Sequence, residues 1–392
     1  MSAAARPKIP RTVWVLGCVS LLMDMSSEIY HALLPAFLTI TLGLPVIAMG
    51  AIDGIAEATA SFAKLAAGRL SDQGRRRKPW VVLGYGLAAF SKPLFPLAAS
   101  AWPVLGARFA DRVGKGIRGA PRDAMIADET PPQLRGRAFG LRQALDTVGA
   151  TIAPVLAIAL MAAFAGDMRL VFWVAAIPAF LSFLLALLAL KEPTARIARE
   201  SVVPFFAGFR DIDRATRRLI AVGFLFTLAR FSEGFLVLKA IEVGLSIAWS
   251  PLALVVFNIG FAGLAYQAGA WSDRVRPRIV LATGMGVLIV ADLILAFPLG
   301  IAGMLAGTLL WGAHMALTQG IFARMVADSA PEPLRATSFG AFHFATGIAT
   351  LLASLGAGLL WDRNGSHATF LAGAAVAGVA LAMLSLLPNR ER

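Results

Sequence analysis

Apolar segments of about twenty residues recur along the whole chain, and short polar breaks separate them. A helix of about 20 apolar residues is long enough to cross the hydrocarbon core of a bilayer. Charged residues make up only 15% of the chain, compared with about 25% in soluble proteins. The sequence therefore predicts an all-α membrane protein and excludes a soluble enzyme, a nucleic-acid-binding domain and a secreted disulfide scaffold. Twelve transmembrane helices fit into the 392 residues, at 12–37, 46–70, 79–98, 101–125, 136–163, 169–190, 217–243, 250–271, 277–298, 301–327, 336–360 and 367–387.

Lysine and arginine are distributed unevenly between the breaks. If both termini are cytoplasmic, the predicted cytoplasmic segments contain 22 of these residues, and the outer loops contain two, Arg169 and Arg363. Cytoplasmic loops of multi-pass proteins carry such an excess. The bias predicts an even number of crossings in the plasma (inner) membrane. It also accounts for the net charge of +13 without a nucleic-acid partner.

Cysteine and histidine are sparse. Cys18 is the only cysteine, which excludes an intrachain disulfide, and the four histidines show no metal-ligand spacing. The sequence also contains no nucleotide-binding motif. We therefore expect no metal and no cofactor, with protons as the coupling ion.

An internal repeat divides the chain into two halves. The segment 125–140 recurs as 325–340, and the matching Met, Ala, Asp, Pro, Leu, Arg, Phe and Gly positions are all 200 residues apart. A charged break at 191–216 lies between the halves. This pattern predicts two six-helix bundles, 1–190 and 217–392, joined by a cytoplasmic linker at 191–216.

With this duplication the sequence resembles the major facilitator superfamily over essentially its whole length. The first family motif, Gly-x-x-x-Asp-Arg-x-Gly-Arg-Arg, corresponds to GRLSDQGRRRK at residues 68–78, where Gln73 replaces the first arginine. The resemblance implies the fold of that superfamily and a cytoplasmic latch, although a merely basic turn is the alternative. The latch candidates are Gly68, Asp72, Arg76, Asp128 and Asp273.

Two further family motifs match on the predicted helices 4 and 5. Residues 112–120 fit Arg-x-x-Gln-Gly-x-Gly-x-Ala, with Lys115 and Arg118 replacing Gln and the second Gly. This match implies a proton-coupling role for Arg112. Residues 149–157 fit the antiporter signature Gly-x-x-x-Gly-Pro-x-x-Gly with alanine in place of two glycines. The second match implies export by antiport with a gate near Pro154, and a generic membrane-helix proline is the alternative.

Acidic residues on the predicted helices 1 and 2 are candidates for proton coupling. Asp24 and Glu28 share one face of helix 1, because they are four residues apart. Ionisable groups within a membrane segment are rare and mark proton pathways or ion pairs, and both interpretations remain open here. On helix 2, Asp53 and Glu57 share a face, and Lys92 is a possible partner for either. Internal neutralisation is favoured on helix 2, with Glu57 kept as a coupling candidate.

The predicted helix 4 carries a continuous basic stripe. Its central cations would attract an anionic substrate, because Arg forms paired hydrogen bonds with carboxylate or phosphate. Pairing with the acids of helices 1 and 2 is an equally good interpretation. At the cytoplasmic end, Arg118 and Arg122 are expected to extend toward lipid phosphates. The stripe consists of Arg108, Asp111, Arg112, Lys115, Arg118 and Arg122, of which Arg108, Arg112 and Lys115 are candidate substrate contacts.

The C-terminal half carries fewer charges within its predicted spans. Arg230 and Glu233 lie near the middle of helix 7, and both are candidate substrate contacts. Asp292 and His314 lie on helices 9 and 10. A single membrane histidine is more often a packing residue than a ligand.

Together these features predict a secondary active transporter that works by alternating access. The favoured function is proton-coupled efflux of a small organic molecule, with an organic anion as one candidate class. One alternative is a proton-coupled importer of an organic anion or nutrient. A non-transporting receptor or scaffold is another, but it would need longer loops or tails, and no enzyme activity is expected. The expected partners are a small-molecule substrate and the lipid bilayer, and the protein is expected to be a monomer.

Overall fold

The computed structural model describes residues 9–73, 76–131, 134–192, 212–329 and 335–386, and it excludes the side chains of residues 65–73, 323, 327 and 335–337. Every regular element within the described residues is helical. The predicted all-α class is therefore confirmed. Most of the predicted linker, residues 193–211, lies outside the described part of the chain.

Seven helices precede the linker. Their bounds are α1 Arg11–Ala36, α2 Val46–Gln73, α3 Lys78–Ser91, α4 Leu94–Leu97, α5 Ala101–Glu129, α6 Arg135–Ala163 and α7 Met168–Ala189. A π-helical turn, Phe37–Thr41, extends α1. The short α4 follows α3 after two residues, so the two helices together cover the third predicted span.

Six further helices follow the linker. Their bounds are α8 Arg214–Leu228, α9 Gly234–Glu242, α10 Leu252–Arg274, α11 Pro277–Ala296, α12 Gly300–Ser329 and α13 Arg335–Ser385. The backbone of α13 is broken at Gly365, where φ is 80°, a region that glycine enters without strain. The predicted helix 7 is likewise interrupted between α8 and α9.

Nine helices in the described ranges are long and apolar enough to cross a membrane. The charged helix α5 is not among them, nor are α8 and α9, which the interruption makes short. The two last predicted spans form the single helix α13. Twelve crossings with both termini in the cytoplasm thus remain a prediction.

The chain divides into two compact units, Met1–His31 with Thr59–Val202, and Ala32–Ala58 with Val203–Arg392. In the first unit, α3 packs against both α5 and α7. Glycine allows the close approach of α3 and α5, since a Cβ atom at Gly84 would lie 2.6 Å from the Gly114 carbonyl oxygen. This contact fixes the face that α5 presents to α3.

In the second unit, α12 packs against α10 and α11, and α13 packs against α8 and α11. The two predicted six-helix bundles, 1–190 and 217–392, stay a prediction, and residues 32–58 group with this unit by their contacts. The physical reason is tight packing against α13: a Cβ atom at Gly50 would lie 2.1 Å from the Ser354 carbonyl oxygen. The Asp362 carboxylate also accepts hydrogen bonds from the Val46 and Ile47 amides, both at 2.8 Å.

Candidate functional site

Acidic side chains from α1 and α6 lie together in the first unit. Asp24 and Glu28 are one helical turn apart on α1, and both are half-buried. Asp24 interacts electrostatically with Glu28, with Asp146 on α6, and with Lys115 and Arg118 on α5. Three helices thus bring acids and cations to one place, an arrangement suited to exchanging protons.

Asp146 is a member of this acid group that sequence reasoning did not identify. Its Oδ2 atom is 2.8 Å from Arg142 Nη1, one turn earlier on α6. Its Oδ1 atom is buried and has no hydrogen-bond partner within the described residues. The spacing of four residues on α6 signals the ion pair, but it does not reveal that α6 places Asp146 near Asp24.

A buried ion pair joins α3 to α5. The Lys92 ammonium donates to Asp111 Oδ1 and to Ser27 Oγ, in both cases at 3.0 Å. The side chains of Lys92 and Asp111 are 1% and 2% exposed. Sequence reasoning considered Asp53 or Glu57 as the partner of Lys92. The pair with Asp111 corrects that expectation, because the glycine contact between α3 and α5 brings these two helices together.

The outer cations of the α5 stripe also have structural partners. Arg108 Nη2 is 3.3 Å from His31 Nδ1. The Arg118 guanidinium is buried and lies 4.6 Å from the centre of the Tyr85 ring, so the expectation that it reaches lipid phosphates is wrong. Arg122 donates to Ser20 Oγ at 3.0 Å and pairs with the adjacent Asp123.

The two central cations of the stripe differ in exposure. Arg112 is 4% exposed, whereas Lys115 is exposed. Arg112 acts electrostatically on Asp111, and Lys115 acts on Asp24. Of the three substrate contacts predicted on α5, Lys115 is therefore the one with an exposed side chain.

Two acids predicted on the second helix fall in the other compact unit. Asp53 is buried, and its Oδ2 atom accepts a hydrogen bond from Ser232 Oγ at 2.7 Å. Glu57 is half-buried on α2 within the same unit. This hydroxyl donates a hydrogen bond to Asp53 but carries no charge, and the internal neutralisation expected on helix 2 stays a prediction.

The second unit contributes a charged site at the interruption between α8 and α9. Arg230 lies in this interruption, 5.9 Å from the Phe226 ring centre, and interacts electrostatically with Glu233. Interrupted membrane helices often form the binding sites of transporters, because their unwound backbone and polar side chains face a cavity. The predicted pair Arg230 and Glu233 therefore occupies a position suited to binding a substrate.

Comparison with known proteins identifies the family. The profile described as Major Facilitator Superfamily matches residues 16–251 and 220–392. The chain belongs to the major facilitator superfamily. An uncharacterized MFS-type transporter of Methanocaldococcus jannaschii is 30% identical over 376 residues, which cover 94% of this chain and 93% of that protein. A probable 4-methylmuconolactone transporter of Cupriavidus pinatubonensis is 26% identical over 288 residues, covering 71% and 67%.

Solved structures share the fold of this superfamily member. A POT family transporter in complex with a thioalcohol-conjugated peptide gives a TM-score of 0.82 at 12% identity, with 96% of each chain covered. The nucleoside transporter NupG gives a TM-score of 0.77 at 14% identity, with 96% of this chain and 99% of that chain covered. The protein is thus a multi-pass membrane transporter with the fold of the superfamily.

The family's latch motifs are described in part. Arg77 Nε is 3.0 Å from Asp128 Oδ2, while the neighbouring Arg76 is exposed. In the second half, Arg324 Nη1 lies 2.7 Å from Asp273 Oδ1. Each half therefore has one latch candidate in an ion pair, Asp128 in the first half and Asp273 in the second. The other two predicted latch residues, Gly68 and Asp72, lie in the part of α2 where only the backbone is described.

The family's antiporter motif forms a buried face of α6. Gly149, Ala153, Pro154 and Ala157 are all buried. A Cβ atom at Gly149 would lie 2.5 Å from a backbone carbonyl oxygen of α1. The motif thus packs α6 closely against the helix that carries Asp24 and Glu28.

Proposed function

We propose that this transporter exports a small organic molecule in exchange for protons, as a monomer in the plasma membrane, with no cofactor. The observation that carries the proposal is the group of half-buried acids, Asp24 and Glu28, in electrostatic contact with Lys115 and Arg118. Such groups can exchange protons when the site opens to either side. The relative named as a probable 4-methylmuconolactone transporter supports a small organic cargo.

Export follows if the cargo and the proton compete for the same acids. A cationic or polar neutral cargo would contact Asp24 and Glu28 directly, and proton binding would then release it. Support for antiport comes from the buried signature around Pro154 on α6, which packs against α1.

An organic anion would move in the same direction as the proton instead of being exchanged for it. This supports import as the second candidate function. An anion bound to Lys115 would draw this cation away from Asp24, since opposite charges attract most strongly in a low dielectric. The uncompensated carboxylate would then take up a proton. Anion and proton would therefore travel together, and Arg112 on the same helix would supply a further contact.

Proteoliposomes loaded with a pH-sensitive dye test both candidates. A panel of organic anions, cations and neutral compounds is added outside, and the direction of proton movement is recorded. Protons leaving the lumen as the cargo enters indicate exchange, and protons entering with the cargo indicate co-transport. No cargo-dependent proton movement for any compound would contradict proton coupling.

Variants assign the residues. Asp24→Asn combined with Glu28→Gln is expected to abolish uphill transport. Lys115→Gln is expected to weaken anion transport selectively. The matched control is Arg217→Gln, an exposed cation on α8, which should behave like the native protein. Unchanged cargo accumulation by the double variant would exclude Asp24 and Glu28 as proton carriers.

A further inference from the structure

A fully buried acid on α11 has no role in the proposed function. Asp292 is 0% exposed, and its Oδ1 atom accepts a hydrogen bond of 3.2 Å from Trp311 Nε1 on α12. Its Oδ2 atom has no hydrogen-bond partner among the residues that the structure describes. A single donor and an open oxygen leave room for a proton at Oδ2.

Small and apolar groups surround this open oxygen. A Cβ atom at Gly373 on α13 would lie 2.6 Å from Oδ2, 3.3 Å from the Phe231 ring and 3.4 Å from the Ala229 carbonyl oxygen. A carboxylate with one hydrogen bond is strongly disfavoured in such surroundings, whereas a neutral acid is tolerated.

The helices around Asp292 also carry other titratable or charged groups. His314 is fully buried on α12, and its ring lies edge-on to Trp311 with 4.6 Å between ring centres. Neither of its nitrogens has a well-formed hydrogen bond within the described residues. The described charged or titratable groups on these elements are His314, Arg324 and Asp328 on α12, His343, Asp362, Arg363 and His367 on α13, Tyr266, Asp273 and Arg274 on α10, and Arg230 and Glu233 at the α8–α9 interruption.

The geometry connects Asp292 to the charged site at the interruption. Ala229 and Phe231, which face Gly373 as Oδ2 does, are the residues on either side of Arg230. A rearrangement of this interruption when Arg230 contacts a substrate would therefore change the surroundings of Gly373, which Asp292 shares. Arg230 also acts electrostatically on His314.

We propose that Asp292 is a second proton-binding site of this transporter, located in the C-terminal half and linked to the substrate contact Arg230 through the α8–α9 interruption. The proton binds at Oδ2 in the conformation described here. It leaves when the interruption rearranges and water reaches the carboxyl group. This site goes beyond the proposed function, which places proton exchange on Asp24 and Glu28.

Infrared difference spectroscopy tests the proposal without any cargo. Protein reconstituted in lipid is exposed to stepped buffer pH, and the carbonyl stretch of protonated carboxyl groups is recorded. We expect a band that Asp292→Asn removes and Asp24→Asn retains. Trp311→Phe should keep this band at a shifted frequency, because the hydrogen bond to Oδ1 is lost. Difference spectra of Asp292→Asn and the native protein that superimpose would overturn the proposal.

The linkage to Arg230 has its own readout. Arg230→Gln alters the interruption whose neighbouring residues face Gly373 together with Asp292, and we expect the pH midpoint of the Asp292 band to move. Arg217→Gln should leave the midpoint unchanged. A midpoint that Arg230→Gln does not move would overturn the linkage. If Asp292→Asn does not fold, the frequency shift in Trp311→Phe still decides the assignment. Because these spectra need no substrate, they can fail or succeed independently of the proton-flux assay.

Discussion

Removing either member of the buried pair Lys92–Asp111 is expected to lower stability, but by different amounts. Lys92→Met leaves the Asp111 carboxylate without its ammonium partner, but three arginines of α5 still act on it electrostatically. We expect a loss of about 1–3 kcal/mol, typical of an unsatisfied buried acceptor. Asp111→Leu leaves the Lys92 ammonium buried without its acid, among cations that repel it. We expect this change to lower the free energy of unfolding by about 3–5 kcal/mol.

The measurement is reversible unfolding in mixed micelles of a mild detergent and SDS, followed by far-ultraviolet circular dichroism. The double variant Lys92→Met/Asp111→Leu removes both charges. It should lose less than the sum of the single losses, with a coupling energy of about 1–3 kcal/mol. Arg217→Met, at an exposed position on α8, should change stability by less than about 0.5 kcal/mol. Additive losses, or a larger loss for Lys92→Met than for Asp111→Leu, would refute this account of the pair.

Three further substitutions test the packing and the ion pairs. Gly149→Ala should lower the free energy of unfolding by about 1–3 kcal/mol, because its Cβ atom meets a carbonyl oxygen of α1 at 2.5 Å. Gly140→Ala, where that atom meets nothing within 4 Å, is the matched control, and an equal loss would contradict the packing argument. Asp362→Asn should speed hydrogen exchange of the first two amides of α2, because these amides donate hydrogen bonds to its carboxylate. Arg363→Gln should not change their exchange. Arg324→Gln should change thermal stability little, since its exposed ion pair is worth at most about 1 kcal/mol.

The sequence predicts helix positions well because membrane spans require long apolar runs. It does not predict the interruption between α8 and α9. Residues 229–233 contain neither proline nor glycine, and a helix could accommodate all five of them. It also does not predict that residues 32–58 pack with the second unit. That grouping depends on glycines of α2 and α13. Each of them contacts the backbone of the other helix, which lies about 300 residues away in the chain.

For the candidate site, spacing along one helix identifies shared faces but not the partner helix. The four-residue spacing correctly groups Asp24 with Glu28. The partner of Lys92 requires knowing that α3 packs against α5, and the neighbour of Asp24 on α6 requires knowing where α6 lies. Sequence reasoning therefore finds ionisable residues more reliably than it finds their partners.

The α5 stripe shows how structural and functional charges can be separated in a membrane protein. If the whole stripe bound substrate, its cations would have to be open to solvent together. Instead Arg118 lies over an aromatic ring and Asp111 holds Lys92. Lys115 is exposed, and it acts on Asp24. A membrane helix can thus carry many charges for internal pairing and leave one exposed cation, which we propose responds to both cargo and proton.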